Sequence, residues 1–270
     1  MLLKSFAASG RGGIRCGLGV KSFLWMRADR YVGTRWDEDL MDKECANGDT
    51  RQPILVLASG SPRRRRLLSL LGLSFQTTVP GVDEEPRPGE APEALARRLS
   101  LLKATAAAQE RAEGVVVAAD TLVVCDGDVL GKPADTAEAR EMLLTLRDRQ
   151  HTVLSGVALY DAEEQRHIVR VAETRVYMRD YTEEEIRRYV ASGEPMDKAG
   201  AYAIQDRDFS PVARIEGCYT NVVGLPLCHL YSMLSAWEVH VPIRPPTCCP
   251  RAVEAGCPLD VMHSSSPPFP

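Results

Sequence analysis

A chain of 270 residues with a net charge of −4 is long enough for one large α/β domain or two small ones, and its charge argues against a nucleic-acid polymer as partner. No run approaches the roughly 18 apolar residues that a membrane helix needs, so no membrane partner is expected. The eight cysteines are too dispersed for a compact disulfide framework, and with no secretory signal the cytoplasm is the expected compartment.

Residues 1–52 do not read as a packed domain. Up to Arg27 they carry Lys4, Arg11, Arg15, Lys21 and Arg27 and no acid, the composition of a mitochondrial transit peptide. Gly10, Gly12, Gly13, Gly17 and Gly19 work against the helix such a peptide forms, so a disordered extension is the competing reading.

The stretch ILVLASGSPRRRRLLSLLG, Ile54 to Gly72, predicts a short buried strand, a Ser59-Gly60 turn and a helix. Ser61 is a good N-cap, Pro62 fits the first helical position, and Gly72 suits the C-terminal cap. A strand feeding a helix through Ser-Gly-Ser presents free N–H groups and a positive dipole end to an anion. Arg63 to Arg66 follow at once, and guanidinium forks match phosphate oxygens. The competing reading is a solvated basic turn, which the helix dipole disfavours.

A second strand is expected from Ser74 to Val79, then a loop carrying Asp83, Glu84 and Glu85, which are either solvated or able to hold a hard cation. A helix from about Pro92 to Ala112 has Leu95, Leu99, Leu102 and Ala106 as its apolar stripe, with Lys103 beside it, either snorkelling or aimed into a cleft. Val115 to Ala119 reads as a strand closed by Asp120-Thr121. An acid beyond a strand's carboxyl end can bind metal or act as general base, and Asp120 is the best catalytic candidate; a turn cap is the alternative. Asp126-Gly127 is a hairpin turn, and Lys132 follows the return strand, where it is expected near Asp120.

Asp135 with Glu138 starts a helix to about Leu146; His151 to Tyr160 and Ile168 to Met178 alternate as strands; Thr182 with Glu185 is a capping box whose helix ends at Gly193. Gly193 to Gln205 reads as loop then strand, and Asn221 to Val223 as a short strand before a helix started by Pro226. From Pro242 the chain is a Pro- and Ser-rich tail; its Cys248, Cys249, Cys257 and His263 match no standard zinc spacing.

Three stretches together resemble the Maf/septum-formation-inhibitor-like family of nucleoside triphosphate pyrophosphatases: ASGSPRRRRLL, AADTLVV with GKP downstream, and SGEPMDKAGAYAIQ followed by NVVGLPL. The resemblance covers about residues 53 to 240. It implies a two-lobed α/β fold, a mixed sheet with flanking helices around a central cleft, in a domain spanning 53–241. It also implies hydrolysis of a nucleoside triphosphate to the monophosphate and pyrophosphate, with Mg²⁺ or Mn²⁺ as cofactor. By the same likeness Asp120, Lys103 and Lys132 are the catalytic set, and Glu84 and Asp120 hold the metal. Ser59, Ser61, Arg63, Arg64, Thr121, Lys198 and Gln205 bind substrate. DKAGAYxIQ resembles the dTTP/UTP subgroup, whose selectivity positions fall on Arg63, Thr121 and Gln205. A homodimer is left open. Gly131 before Lys-Pro and Ala203 before Ile-Gln depart from the family pattern, and Asp206 to Arg214 replaces a glycine-rich turn, which keeps a binding protein with weak turnover as the alternative.

Overall fold

The computed structural model describes residues 53–111 and 113–245. The 1–52 extension and the cysteine-histidine group of the tail lie outside the described residues. In chain order the elements are β1 (Leu55–Ala58), α1 (Pro62–Ser69), β2 (Gln76–Thr78), α2 (Pro92–Gln109), β3 (Val115–Cys125), β4 (Asp128–Leu130) and α3 (Thr136–Leu146). They continue with β5 (Gln150–Asp161), β6 (His167–Met178), α4 (Glu183–Ala191), β7 (Val212–Glu216), α5 (Tyr219–Val223) and α6 (Leu227–Ala236). Two 3₁₀ turns, Glu194–Asp197 and Ala199–Ala201, lie between α4 and β7.

All the strands share one mixed sheet in the order β2-β1-β3-β5-β6-β7, with β4 paired to β3 off that path. β1 is parallel to β2 and β3, and the remaining pairings are antiparallel. Two lobes share this sheet. In the first, alternate residues of β1 and β3 face opposite layers. Leu55, Leu57, Val115 and Val117 pack with Leu67, Leu68 and Leu71 of α1 and with Leu230 and Leu234 of α6. Val56, Ala58, Val116 and Ala118 pack with Ala104, Ala107 and Ala108 of α2. Burial on both faces is why these strands read as unbroken apolar runs. In the second lobe α3, α4 and the 3₁₀ turns cover the far half of β3, β5 and β6, around Leu143, Tyr181, Ile186, Tyr189, Tyr202 and Phe209.

Local signals hold where short-range chemistry decides. Ser61 Oγ accepts from Arg64 N at 3.4 Å and Asp135 from Glu138 N at 2.8 Å, while Thr182 and Glu185 form both bonds of the capping box. Asp126 and Gly127 both adopt positive φ, as a two-residue hairpin turn demands. Four expectations fail. β3 does not stop at Ala119 but runs on to Cys125, because β5 pairs with it through Val124. The buried stripe of α2 includes Lys103, whereas Leu102 is 36% exposed. Asn221 to Val223 is helical, and Gly193 to Gln205 holds 3₁₀ turns in place of a strand. The strand of that region is β7, further on, which begins within the stretch that departs from the family pattern. There Phe209 stacks on Tyr189 with ring centres 4.3 Å apart, so the departure builds second-lobe core. Past the expected domain end at 241, Ile243 N donates to Leu71 O at 3.1 Å.

His151, second residue of β5, lies inside the second lobe, 3% exposed, with Nε2 and the Tyr202 hydroxyl 2.8 Å apart and no partner for Nδ1 among the described residues. Burial pushes it down to about 4 from the usual 6.5. A depressed histidine contributes stability that is complete above the unfolded value and is lost as pH falls toward the folded one. Between pH 6.5 and 4 wild type should therefore lose up to about 3 kcal/mol more than a His151→Phe variant does, measured by denaturant melts across that range. Parallel losses would refute the assignment.

Candidate active site

The site forms where β3 loses its outer neighbour. β1 pairs with β3 as far as Val117 and β4 takes over only at Val123, so between them that edge of β3 has no strand partner among the described residues. Asp120 and Thr121 lie in this gap, and strand alternation sends their side chains to opposite faces. Sequence reasoning placed Asp120 beyond a strand end; it stands within the strand, opposite Gly156 of β5, where β1 and β4 are too short to pair with it.

On the α2 face, Lys103 Nζ meets Asp120 Oδ1 at 2.5 Å and Glu84 Oε1 at 3.0 Å. Lys103 and Asp120 are 9% and 6% exposed, while Glu84 reaches in from an exposed loop. Gly156 explains how close α2 lies: a Cβ there would stand 2.1 Å from the carbonyl oxygen of Ala96. That contact seats the helix on the sheet, and about two turns further on it delivers Lys103 over Asp120.

On the α1 face, Arg64 is gripped at three points. Its Nε donates to Gly224 O at 2.9 Å, Nη2 to Thr121 Oγ1 at 3.2 Å and Nη1 to Ser59 Oγ at 3.4 Å. Burial lowers its pKa, with Arg63 adding to the lowering and Asp120 and Glu84 opposing it. Those couplings join the two faces electrostatically. Ser59 also accepts from Ser61 N at 3.2 Å, tightening the turn ahead of α1.

Arg63, one residue earlier, points elsewhere. Its Nη1 donates to Asp197 Oδ2 at 2.9 Å and its Nη2 to Asp197 O at 3.3 Å, bridging α1 to the first 3₁₀ turn of the second lobe. Lys198, 7% exposed, donates to Asp197 Oδ1 at 2.6 Å, to Glu194 Oε2 at 3.1 Å and to the Glu194 carbonyl. Burial raises the Asp197 carboxyl, but Lys198 and Arg63 outweigh it and hold it below its usual value.

The structure thus gathers Glu84, Lys103, Asp120, Thr121, Ser59, Ser61 and Arg64 around the gap, with Arg63 at its rim. Lys132 and Gln205 are exposed, and neither bonds to this group among the described residues. Lys198 serves the 3₁₀ turn. Sequence reasoning missed Ser155, whose Oγ lies 2.8 Å from Thr121 Oγ1, and Gly224 and Asp197 as partners of the arginines. A serine amid the buried residues of an alternating strand was the available signal for the first; its use appears only with the β3–β5 register.

These features define a two-lobed α/β protein whose cleft sets fixed cations against paired carboxylates. The family model described as Maf-like protein matches residues 54–237, and the chain belongs to that family. A Pelotomaculum thermopropionicum protein named dTTP/UTP pyrophosphatase is 50% identical over 187 residues, 69% of this chain and 98% of that protein. A Dictyoglomus thermophilum protein of the same name is 45% identical over 67% of this chain and 94% of its own length. Among solved structures, the Staphylococcus aureus Ham1 protein is similar over 47% of this chain and 72% of that one, at 17% identity and a TM-score of 0.35, too distant to bear on the site.

Removing one partner of a buried ion pair strands the other charge. Lys103→Met should cost about 3 kcal/mol of stability at pH 7, and adding Asp120→Asn should recover most of that loss, because the stranded charge is then gone. Denaturant melts of wild type and both variants test this; no recovery in the double variant would exclude a stranded carboxylate.

Proposed function

We propose that this chain is a nucleoside triphosphate pyrophosphatase that favours dTTP, UTP and related pyrimidine nucleotides and works with a divalent metal. Water attacks the α-phosphorus, the bond to the bridging oxygen of the β-phosphate breaks, and the monophosphate and pyrophosphate leave. The observation that carries this reading is the buried Lys103–Asp120 pair beside a helix N-terminus whose Arg64 is already oriented. Its relatives' names point the same way.

Each group has a part in that chemistry. Charge builds on phosphate oxygens as pyrophosphate departs, and cations fixed in advance stabilise it without reorganising. Arg64 has five N–H donors, three of which serve Ser59, Gly224 and Thr121, leaving two for a phosphate. Arg63 can exchange its exposed partner Asp197 for a phosphate oxygen. Lys103 orients the Asp120 carboxylate, which positions the attacking water and accepts its proton. Lys132 would add a cation from the exposed side.

The donor set suits Mg²⁺ or Mn²⁺. Two carboxylates, Glu84 and Asp120, converge on one ammonium, and Mg²⁺ is commonly held by one or two carboxylates with substrate phosphates completing its shell. Glu84 and Asp120 would hold it, and once bound it would supply charge neutralisation at the phosphates. For the base, the Gln205 amide can both donate and accept, which suits the edge of uracil or thymine. With Arg63 and Thr121 it makes up the proposed selectivity set.

Purified protein, given a panel of triphosphates with Mg²⁺ or Mn²⁺, should release pyrophosphate, fastest from dTTP and UTP. Binding without pyrophosphate would favour a non-catalytic nucleotide-binding protein, and orthophosphate alone would refute the bond assignment. Asp120→Asn should lower kcat by about a thousandfold while triphosphate binding persists, as expected for loss of a general base. Full activity in that variant would dismiss the mechanism. Gln205→Ala should narrow the gap in kcat/KM between UTP and the purine triphosphates; an unchanged gap would mean the base is read elsewhere.

A further inference from the structure

Asn221, in the helix that sequence reasoning took for a strand, is fully buried. Its Nδ2 donates to Val153 O at 3.1 Å on β5, and to Ala172 O at 3.3 Å and Thr174 Oγ1 at 2.9 Å on β6. All three neighbours accept, so a reversed amide would set its oxygen against two carbonyls. The side chain therefore fastens α5 to the centre of the β5–β6 hairpin.

From the backbone of Asn221, two routes of hydrogen bonds reach the guanidinium of Arg64. Its carbonyl accepts from Gly224 N at 2.9 Å, closing the helix, and Gly224 O in turn receives Arg64 Nε. Gly224 sits at φ +122°, a conformation that side chains rarely adopt, so the chain turns there and presents its carbonyl to the arginine. The second route starts from the same carbonyl, which accepts from Ser155 Oγ at 3.3 Å; Ser155 is paired with Thr121, and Thr121 with Arg64 Nη2.

We propose that Asn221 is a positioning residue for Arg64: by pinning α5 to two strands it sets where the Gly224 carbonyl stands, and so where the guanidinium points. The proposal rests on the reading of Arg64 as a phosphate ligand. Asn221, at 0% exposure, acts through Arg64 and never meets the substrate. A guanidinium held beforehand loses little freedom on binding, so loosening it should fall on substrate affinity.

The test is a double-mutant cycle read by pyrophosphate release from dTTP, with the Arg64 Nε–H signal followed by NMR in ligand-free protein. Asn221→Ala should lower kcat/KM by about tenfold to a hundredfold, mainly through KM, the scale on which displaced binding groups act. In an Arg64→Ala background the same change should add nothing, whereas a general structural defect would add its full loss. The Nε–H signal, identified by its absence in Arg64→Lys, should move in Asn221→Ala; an unmoved signal or additive losses would overturn the proposal. Should Asn221→Ala fail to fold, Ser155→Ala tests the second route, with a smaller loss that also vanishes beside Arg64→Ala; additivity there would be equally fatal. Wild type that releases no pyrophosphate would sink the proposed function, and the NMR signal would still decide the positioning role.

Discussion

The Lys103–Asp120 ion pair is the constraint around which the first lobe is arranged. Taking both charges out of water costs several kcal/mol each, and replacing such a pair by apolar residues is often neutral or stabilising. Packing alone gives little reason for it. What it does provide is a defined distance between α2 and β3 in the stretch where, among the described residues, β3 has no outer strand partner. Gly156 serves the same end from beneath, because a side chain there would lift the helix off the sheet. A helix seated this closely holds a carboxylate and an ammonium in fixed register, which suits a site that must receive a highly charged ligand.

The two arginines of α1 divide the remaining work through their neighbours. Arg64 points inward to a hydroxyl, a carbonyl and a second hydroxyl, all neutral acceptors that orient it without neutralising it. Arg63 points across to Asp197, a carboxylate 61% exposed on its side chain and already satisfied in part by Lys198. A neutral cradle leaves the positive charge available, while an anionic partner competes for it. Successive residues of one helix thus differ in how readily each releases its guanidinium, a difference set entirely by what the fold places opposite them.

How much of this could be read in the sequence follows from the range of the forces involved. Ser61, Thr182 with Glu185, and Asp126-Gly127 act within a few residues, and their caps and turn lie where expected. Asp120 and Lys103 stood out as charges within apolar segments, which is legible without a fold. The length of β3 was not, because its second half exists only as the partner of β5, and Asp120 looked like a terminator. Asn221 to Val223 misled for the mirror-image reason. Val-Val favours a strand, yet the segment is helical, with the Asn221 side-chain Nδ2 donating to β5 and β6. By its own chemistry Glu84 was one acid among three in a loop, set apart only by the family likeness; in the fold its contact with Lys103 sets it apart.

The segment 206–214 carries the same reasoning to the second lobe. As sequence it was a departure at the cleft edge and a reason to expect weak turnover. In the fold Asp206 Oδ1 accepts from the Asp208 and Phe209 amides, Phe209 enters the aromatic core, and Arg179 Nη2 donates to the Phe209 carbonyl. Those bonds stay within the segment or come from Arg179 just past β6, and none among the described residues runs to Asp120 or Arg64. In this chain Phe209 closes the second lobe by packing on Tyr189 and Tyr181. Among the described residues the side-chain hydrogen bonds and ion pairs of Asp120 and Arg64 run to Lys103 on α2, to Thr121 on β3, to the Ser59 turn and to Gly224 just past α5, so segment 206–214 takes no part in holding them.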